Sequence, residues 1–155
     1  MDLDDLDPLM PHRPPMRLID SVEAVDVESQ RLVALMTVRS DCLFFENGGV
    51  PGWVAIEYMA QAAAALTGTY DRMVYPSRPA RPGFLLGTRK LKVDVESFKE
   101  GCTYRVIAQQ VFDDETAASF ACSITDDAGT TVAEACLNAF RPADAKAFID
   151  GMEAE

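Results

Sequence analysis

Glu57 and Gln61 are nearly the only strongly polar residues between Pro51 and Leu66. On a helix, a spacing of four residues places a carboxylate and an amide on one face, with Ala60 beside them. A carboxylate among Trp53, Ile56 and alanines is pulled two ways, because burial disfavours its charge and a nearby helix start favours it. Either state is chemically useful: the ionised form as a base or water anchor, the neutral form as a hydrogen-bond donor. The same side chain could instead serve a neighbouring strand or a dimer contact. Gly52 lies just before the helix body, so its N–H would be one of the unpaired donors of a helix start, suited to an oxygen that gains negative charge. A glycine needed only for the turn would look the same. His12, the single histidine, is the default general acid or base at neutral pH, and in a Pro-rich segment it also reads as structural.

The elements that must position these groups follow from periodicity. Residues 51–71 read as the one long helix: Pro51 suits its first turn, Trp53, Ile56, Ala60, Ala63, Ala64 and Thr67 recur near the helical period, and Gly68 is a weak point towards its end. A helix apolar on nearly all sides is a buried one. Upstream, apolar runs beginning at Met16 and at Leu32 flank the polar turn 28–31 as a hairpin, and a short apolar piece, 42–45, leads into Asn47, Gly48 and Gly49. Such a loop lets another group approach the backbone closely. Downstream, 84–95, 103–112, 117–125 and 131–140 read as strands separated by the turns 99–101, 113–116 and 126–129. The expectation is an α+β domain, a curved antiparallel sheet of about five or six strands wrapped around one buried helix.

Residues 1–15 carry Pro8, Pro11, Pro14 and Pro15, which exclude a central strand; the segment is expected to lie extended on the surface or at a dimer edge. Residues 75–83 form a Pro-rich surface loop, 142–152 read as a short tail helix, and 142–155 as an acidic tail. With 155 residues and 48% hydrophobic content, residues 1–155 are expected to form a single domain with one core.

A formal charge of -11 opposes nucleic acid and anionic membrane surfaces. No run approaches the roughly 18 to 20 apolar residues of a membrane span, and the acidic start is unlike a signal peptide, so a cytoplasmic location is expected. Arg72, Arg78, Arg81, Arg89, Lys90 and Lys92 form a local basic cluster. It would suit an acidic partner, or be no more than solvated loop ends and one strand face. Cys42, Cys102, Cys122 and Cys136 lack metal-ligand spacing, so no metal site is expected and the four read as reduced core thiols. No basic helix-turn-helix segment supports a transcription regulator.

Three blocks carry a family resemblance. Residues 11–20, Pro-His-Arg-Pro-Pro-Met-Arg-Leu-Ile-Asp, resemble the opening signature of (3R)-hydroxyacyl-ACP dehydratases. Residues 51–61, Pro-Gly-Trp-Val-Ala-Ile-Glu-Tyr-Met-Ala-Gln, resemble their central-helix signature, and Phe84, Leu85, Leu86 and Gly87 onward to Phe98 and Gly101 resemble the strand that follows. The resemblance implies a hotdog-fold dimer with composite sites at the subunit interface, acting on acyl chains carried on the phosphopantetheine arm of an acyl carrier protein, with no further cofactor. Glu57 matches the family's catalytic acid, and Gly52 the glycine whose N–H contacts the thioester carbonyl. Contacts to the acyl thioester are implied for Gly49, Val50, Pro51, Gly52, Gln61, Phe84, Leu85 and Gly87.

The chain departs from the pattern just upstream. Where the family has a His-Phe-Pro-Gly loop, Glu46, Asn47, Gly48, Gly49 and Val50 form a shorter loop without histidine. In this respect the chain most resembles the dehydratase-like subunit of aryl polyene biosynthesis, which works beside a second hotdog protein. A histidine from a partner subunit would complete the site in a heterodimer; alternatively His12 reaches it in a homodimer or heterodimer, or the chain is a non-catalytic acyl-binding subunit. Thioester hydrolysis by the helix carboxylate is a further alternative.

Overall fold

The computed structural model describes residues 2–77, 83–114, 116–141 and 150–151, apart from the side chain of Phe84. Strands β1 (Ser21–Asp26) and β2 (Arg31–Thr37) form the expected hairpin. A short strand β3 (Gly49–Pro51) leads through one 3-10 turn (Gly52–Val54) into helix α1 (Ala55–Val74). Then follow β4 (Phe84–Val93), β5 (Ser97–Lys99), β6 (Thr103–Asp113), β7 (Ala117–Thr125) and β8 (Thr131–Phe140). Six strands make one antiparallel sheet in the order β1-β2-β6-β7-β8-β4, while β3 and β5 pair separately.

Alternation dictates which face of the sheet meets the helix. Along β7, Ala118, Phe120, Cys122 and Ile124 point inward and the residues between them do not. The helix answers with small side chains, Ala55, Ala62, Ala63 and Ala65, which let it settle closely onto the sheet, and with buried Tyr58, Met59 and Leu66. Phe98 of β5 closes the core, edge-on to both Tyr58 (5.3 Å between ring centres) and Tyr104 (5.0 Å).

Several expectations need correction. The N-terminal segment does not lie extended on the surface: it turns back over α1 and buries Leu6, Leu9 and Met10. Arg72 of the helix donates to the Pro8 carbonyl (3.2 Å), and Arg13 and Arg17 tie the segment to itself through the Met10 carbonyl and Asp7. Proline excluded a strand there without excluding a folded, apolar strap. Gly68 is not a weak point but a contact, since the Leu9 backbone passes directly over it. Trp53, assigned to the core by its helical period, is 66% exposed, because the 3-10 turn rotates it away from the phase of α1. Of the four cysteines, all free, only Cys122 is buried, its thiol pushed up to about 12 by desolvation; Cys102 is exposed. The tail helix expected at 142–152 falls almost wholly outside the described residues, as do Arg78 and Arg81.

Candidate active site

Glu57 stands in the first turn of α1. Its Oε1 accepts a hydrogen bond from Gln61 Nε2 (2.9 Å), the pairing expected from their spacing. Gln61 itself is fully buried. It donates also to the Met16 carbonyl (2.8 Å), and its Oε1 accepts from the Leu18 N–H (2.7 Å). One amide thus fixes the carboxylate and pins the chain leaving the N-terminal strap. Gln61 has no surface left for a substrate, so its expected role as a substrate contact is replaced by a positioning one. Gln61→Leu, nearly equal in volume, would leave the Leu18 N–H and Met16 carbonyl unpaired, and is expected to lower stability by on the order of 3 kcal/mol. Urea denaturation checks this; a loss under about 1 kcal/mol would mean water substitutes for the amide.

The strap brings His12 to the same place. Its Nε2 lies 3.9 Å from Glu57 Oε1, while Nδ1 is buried without a partner. Burial pulls the imidazole below its ordinary pKa of 6.5, and the Glu57 carboxylate opposes that shift without reversing it. The ring is therefore neutral near pH 7, and only its Nε2 edge can exchange a proton with neighbours. The 3.9 Å separation is too long for a direct hydrogen bond, so the two groups stand side by side without being bonded to each other.

Glu57 and His12 line a cavity of about 470 Å³. Its walls are the strap (Leu9, Met10, Pro11), the small-residue face of α1 (Ala60, Ala63, Ala64, Thr67, Gly68), the sheet (Leu85, Phe120, Leu137, Ala139) and Arg141 just beyond β8. Most of this lining is apolar, a surface for an acyl chain rather than a sugar or nucleotide. Phe120, Leu137, Ala139 and Arg141 escaped the reading of the sequence. Their signal, alternate residues of paired strands facing the helix, is legible only once the register is known.

The glycine stretch behaves differently from expectation. Gly52 donates its N–H to the Glu96 carbonyl (2.8 Å), so it is not a free oxyanion donor. Its lack of a side chain serves packing, because a Cβ would sit 2.3 Å from the Val95 carbonyl oxygen. Gly49, Val50 and Pro51 are buried and pair with Lys99, Phe98 and Ser97. The group that approaches this glycine backbone is the chain's own β5, not a ligand. Leu85 lines the cavity; Gly87 lies on the outer strand β4 with nothing within 4 Å of where a Cβ would stand. Phe84 pairs with Phe140 through the backbone, and its side chain lies outside the described residues. Among the described residues no cluster of His, Cys, Asp and Glu is arranged to hold a metal, and no helix is long and apolar enough to cross a membrane.

Known proteins share this architecture. One chain of the dehydratase heterocomplex ApeI:P from Xenorhabdus doucetiae superimposes with a TM-score of 0.85 at 28% identity, over 95% of this chain and 96% of that one. A hypothetical thioesterase from Streptococcus pneumoniae TIGR4, solved with coenzyme A, matches at 0.60 with 14% identity over 79% and 84%, which shows the shared hotdog fold. In sequence, 72 residues are 35% identical to the 3-hydroxyacyl-[acyl-carrier-protein] dehydratase FabZ of Xanthomonas campestris pv. campestris (strain B100). That alignment covers 43% of this chain and 47% of FabZ, so the match spans about half the length of the curated relative. Residues 4–150 match the model of the ApeP-like family, described as ApeP dehydratase, and the chain belongs to that family.

Proposed function

We propose that this chain dehydrates (3R)-3-hydroxyacyl thioesters carried on an acyl carrier protein, as one subunit of a hotdog dimer. The observation that supports this is the placement of His12 Nε2 and Glu57 Oε1 3.9 Å apart at an apolar cavity. Neutral His12 takes the proton from the carbon next to the thioester carbonyl. The electron pair left behind forms the carbon–carbon double bond as the neighbouring hydroxyl departs, and Glu57 gives that hydroxyl a proton, so that water leaves. The proton on His12 then passes to Glu57, which restores both groups. Because Gly52 is engaged by Glu96, the enolate oxygen of this reaction needs a donor other than Gly52.

Strand β4 supports the dimeric part of the reading. Among the described residues it closes one side of the sheet with an unpaired edge, and it carries exposed Leu85, Leu86 and Leu91, an arrangement that a second sheet would cover. Similarity to a chain of the ApeI:P heterocomplex favours an unlike hotdog partner over a second copy. Arg89, Lys90 and Lys92 are exposed on the same strand and suit an acidic carrier protein, whose substrates would place the reaction in the cytoplasm.

The test is turnover of a (3R)-3-hydroxyacyl carrier-protein substrate by the chain, purified with and without its native partner. Enoyl thioester should accumulate; release of free thiol would replace dehydration with hydrolysis. The profile of kcat/KM against pH carries a further expectation. With the folded pKa of His12 held below 6.5, the base is neutral above 6.5, and the acid limb of the profile should follow its loss as pH falls through the lowered value. Stability has the same sign, since below 6.5 the unfolded chain takes up the proton first. An acid limb centred above 6.5 would remove His12 from the base role.

A further inference from the structure

Among the described residues the His12 imidazole makes no hydrogen bond: Nδ1 is buried without a partner, and Nε2 stands 3.9 Å from Glu57 Oε1. The polar contact that the residue does make belongs to its backbone, whose carbonyl accepts from Arg13 Nη1 at 3.0 Å. A ring with no bond of its own goes where its backbone carries it. What fixes that backbone therefore fixes the distance between His12 and Glu57.

The strap has neither helix nor strand, and Pro8, Pro11, Pro14 and Pro15 bring no N–H groups to it, so its carbonyls need donors from elsewhere. Arg13 supplies them. Nη1 donates to the Met10 carbonyl (2.8 Å) as well as to that of His12, and Nη2 donates to the Asp7 carbonyl (3.1 Å). One guanidinium thus closes the stretch from Asp7 to Arg13, with His12 inside it. The stretch is anchored beyond Arg13 too: the Arg13 carbonyl accepts from the Met16 and Arg17 N–H groups (2.8 and 3.0 Å), and Arg17 Nη1 donates back to Asp7 Oδ1 (2.7 Å).

The fork matters here, not the charge. Only burial and Glu57 shift the imidazole pKa; Asp7, Arg13, Asp71, Arg72 and Arg141 line the same cavity, and none of them is among the causes. A planar guanidinium spreads its N–H groups over separate nitrogens and meets several acceptors at once, whereas a lysine carries the same charge on one. We propose that Arg13 is a positioning residue for the dehydration: its fork ties the carbonyls of Asp7, Met10 and His12 together and so holds the imidazole in the cavity wall beside Glu57. This rests on the proposed function only for the part that His12 plays in turnover.

Because the chain has a single histidine, its imidazole resonances can be followed by NMR without assignment. The full chain, labelled at histidine with ¹⁵N, is titrated with its native partner unlabelled. In the wild type His12 should titrate below 6.5, as its burial requires. Arg13→Lys keeps the charge and removes the fork, so the ring should gain water and its midpoint should rise towards 6.5. In the same variant kcat should fall by about 10–10²-fold, the scale of a misplaced group, with KM little changed. Added to H12Q, the substitution should cost nothing further. Arg13→Gln, which has a single amide nitrogen, should shift the midpoint in the same direction. A midpoint that stays at the wild-type value in both variants overturns the proposal. An equal loss of rate with and without His12, or the failure of both variants to fold, also overturns it, since Arg13 would then hold the fold rather than the histidine. A raised midpoint in R13K beside wild-type turnover in H12Q would remove His12 from the reaction and leave Arg13 its hold on the ring; an unmoved midpoint beside a severe loss in H12Q would do the reverse.

Discussion

Glu57→Gln is expected to lower kcat/KM for dehydration by about 10²–10⁴-fold, the usual worth of a positioned acid or base. The substitution keeps shape and retains an oxygen for the Gln61 Nε2 hydrogen bond, so the helix and the strap it anchors should be undisturbed. What is lost is a transferable proton. Affinity for a non-reactive analogue should therefore change little while kcat falls, the pattern of a group that acts in the transition state. His12→Gln separates the two sources of the base. If the base is His12, the single variants should fall by similar amounts, and the double variant should be no slower than the worse of them, since the two act as a unit. A severe loss in E57Q with wild-type rates in H12Q would move the base to the partner subunit. Wild-type turnover in E57Q would end the proposed role of the carboxylate, and with it the reading of the site.

The sheet, the helix and the Glu57–Gln61 pair were legible because each is local. Period-two burial in β7 and the alanine-rich face of α1 need only near neighbours to be read, and a spacing of four on a helix fixes which side chains meet. What escaped the sequence depends on distant partners. Strands β3 and β5 are three residues each, too short to carry a period, and exist because they pair with one another. Gly52 reads as a free donor until Glu96 is placed against it. Leu6, Leu9 and Met10 are apolar in a Pro-rich stretch, and nothing local says that their cover is a helix some fifty residues on. His12 reaches Glu57 only because that strap folds back. Arg141 follows the last strand with no local pattern to mark it, and it joins the cavity wall only once the sheet is folded onto the helix.

Gly68→Ala should be strongly destabilising, against the sign that helix propensity alone predicts. In an open helix interior the change would gain about 1 kcal/mol, because alanine loses less backbone freedom than glycine. Here the new Cβ would lie 1.6 Å from the Leu9 carbonyl oxygen, and contacts under 3.0 Å require something to shift. The obstacle is backbone, and α1 is held from behind by the sheet, so the strap must lift. Lifting it exposes Leu6, Leu9 and Met10, now buried, at about 1.5–3 kcal/mol for each side chain fully uncovered. Partial relief should keep the net loss near 3–5 kcal/mol, readable as a lowered urea midpoint. The same movement carries His12 away from Glu57, so any folded fraction should show a reduced kcat/KM. Adding H12Q to Gly68→Ala should then cost much less than H12Q alone. The sheet can survive this change, because β1, β2, β6, β7, β8 and β4 pair without the strap. Retained strand signal with lost activity is therefore the expected signature. A Gly68→Ala chain as stable and active as the wild type would show that the strap does not hold the histidine in place.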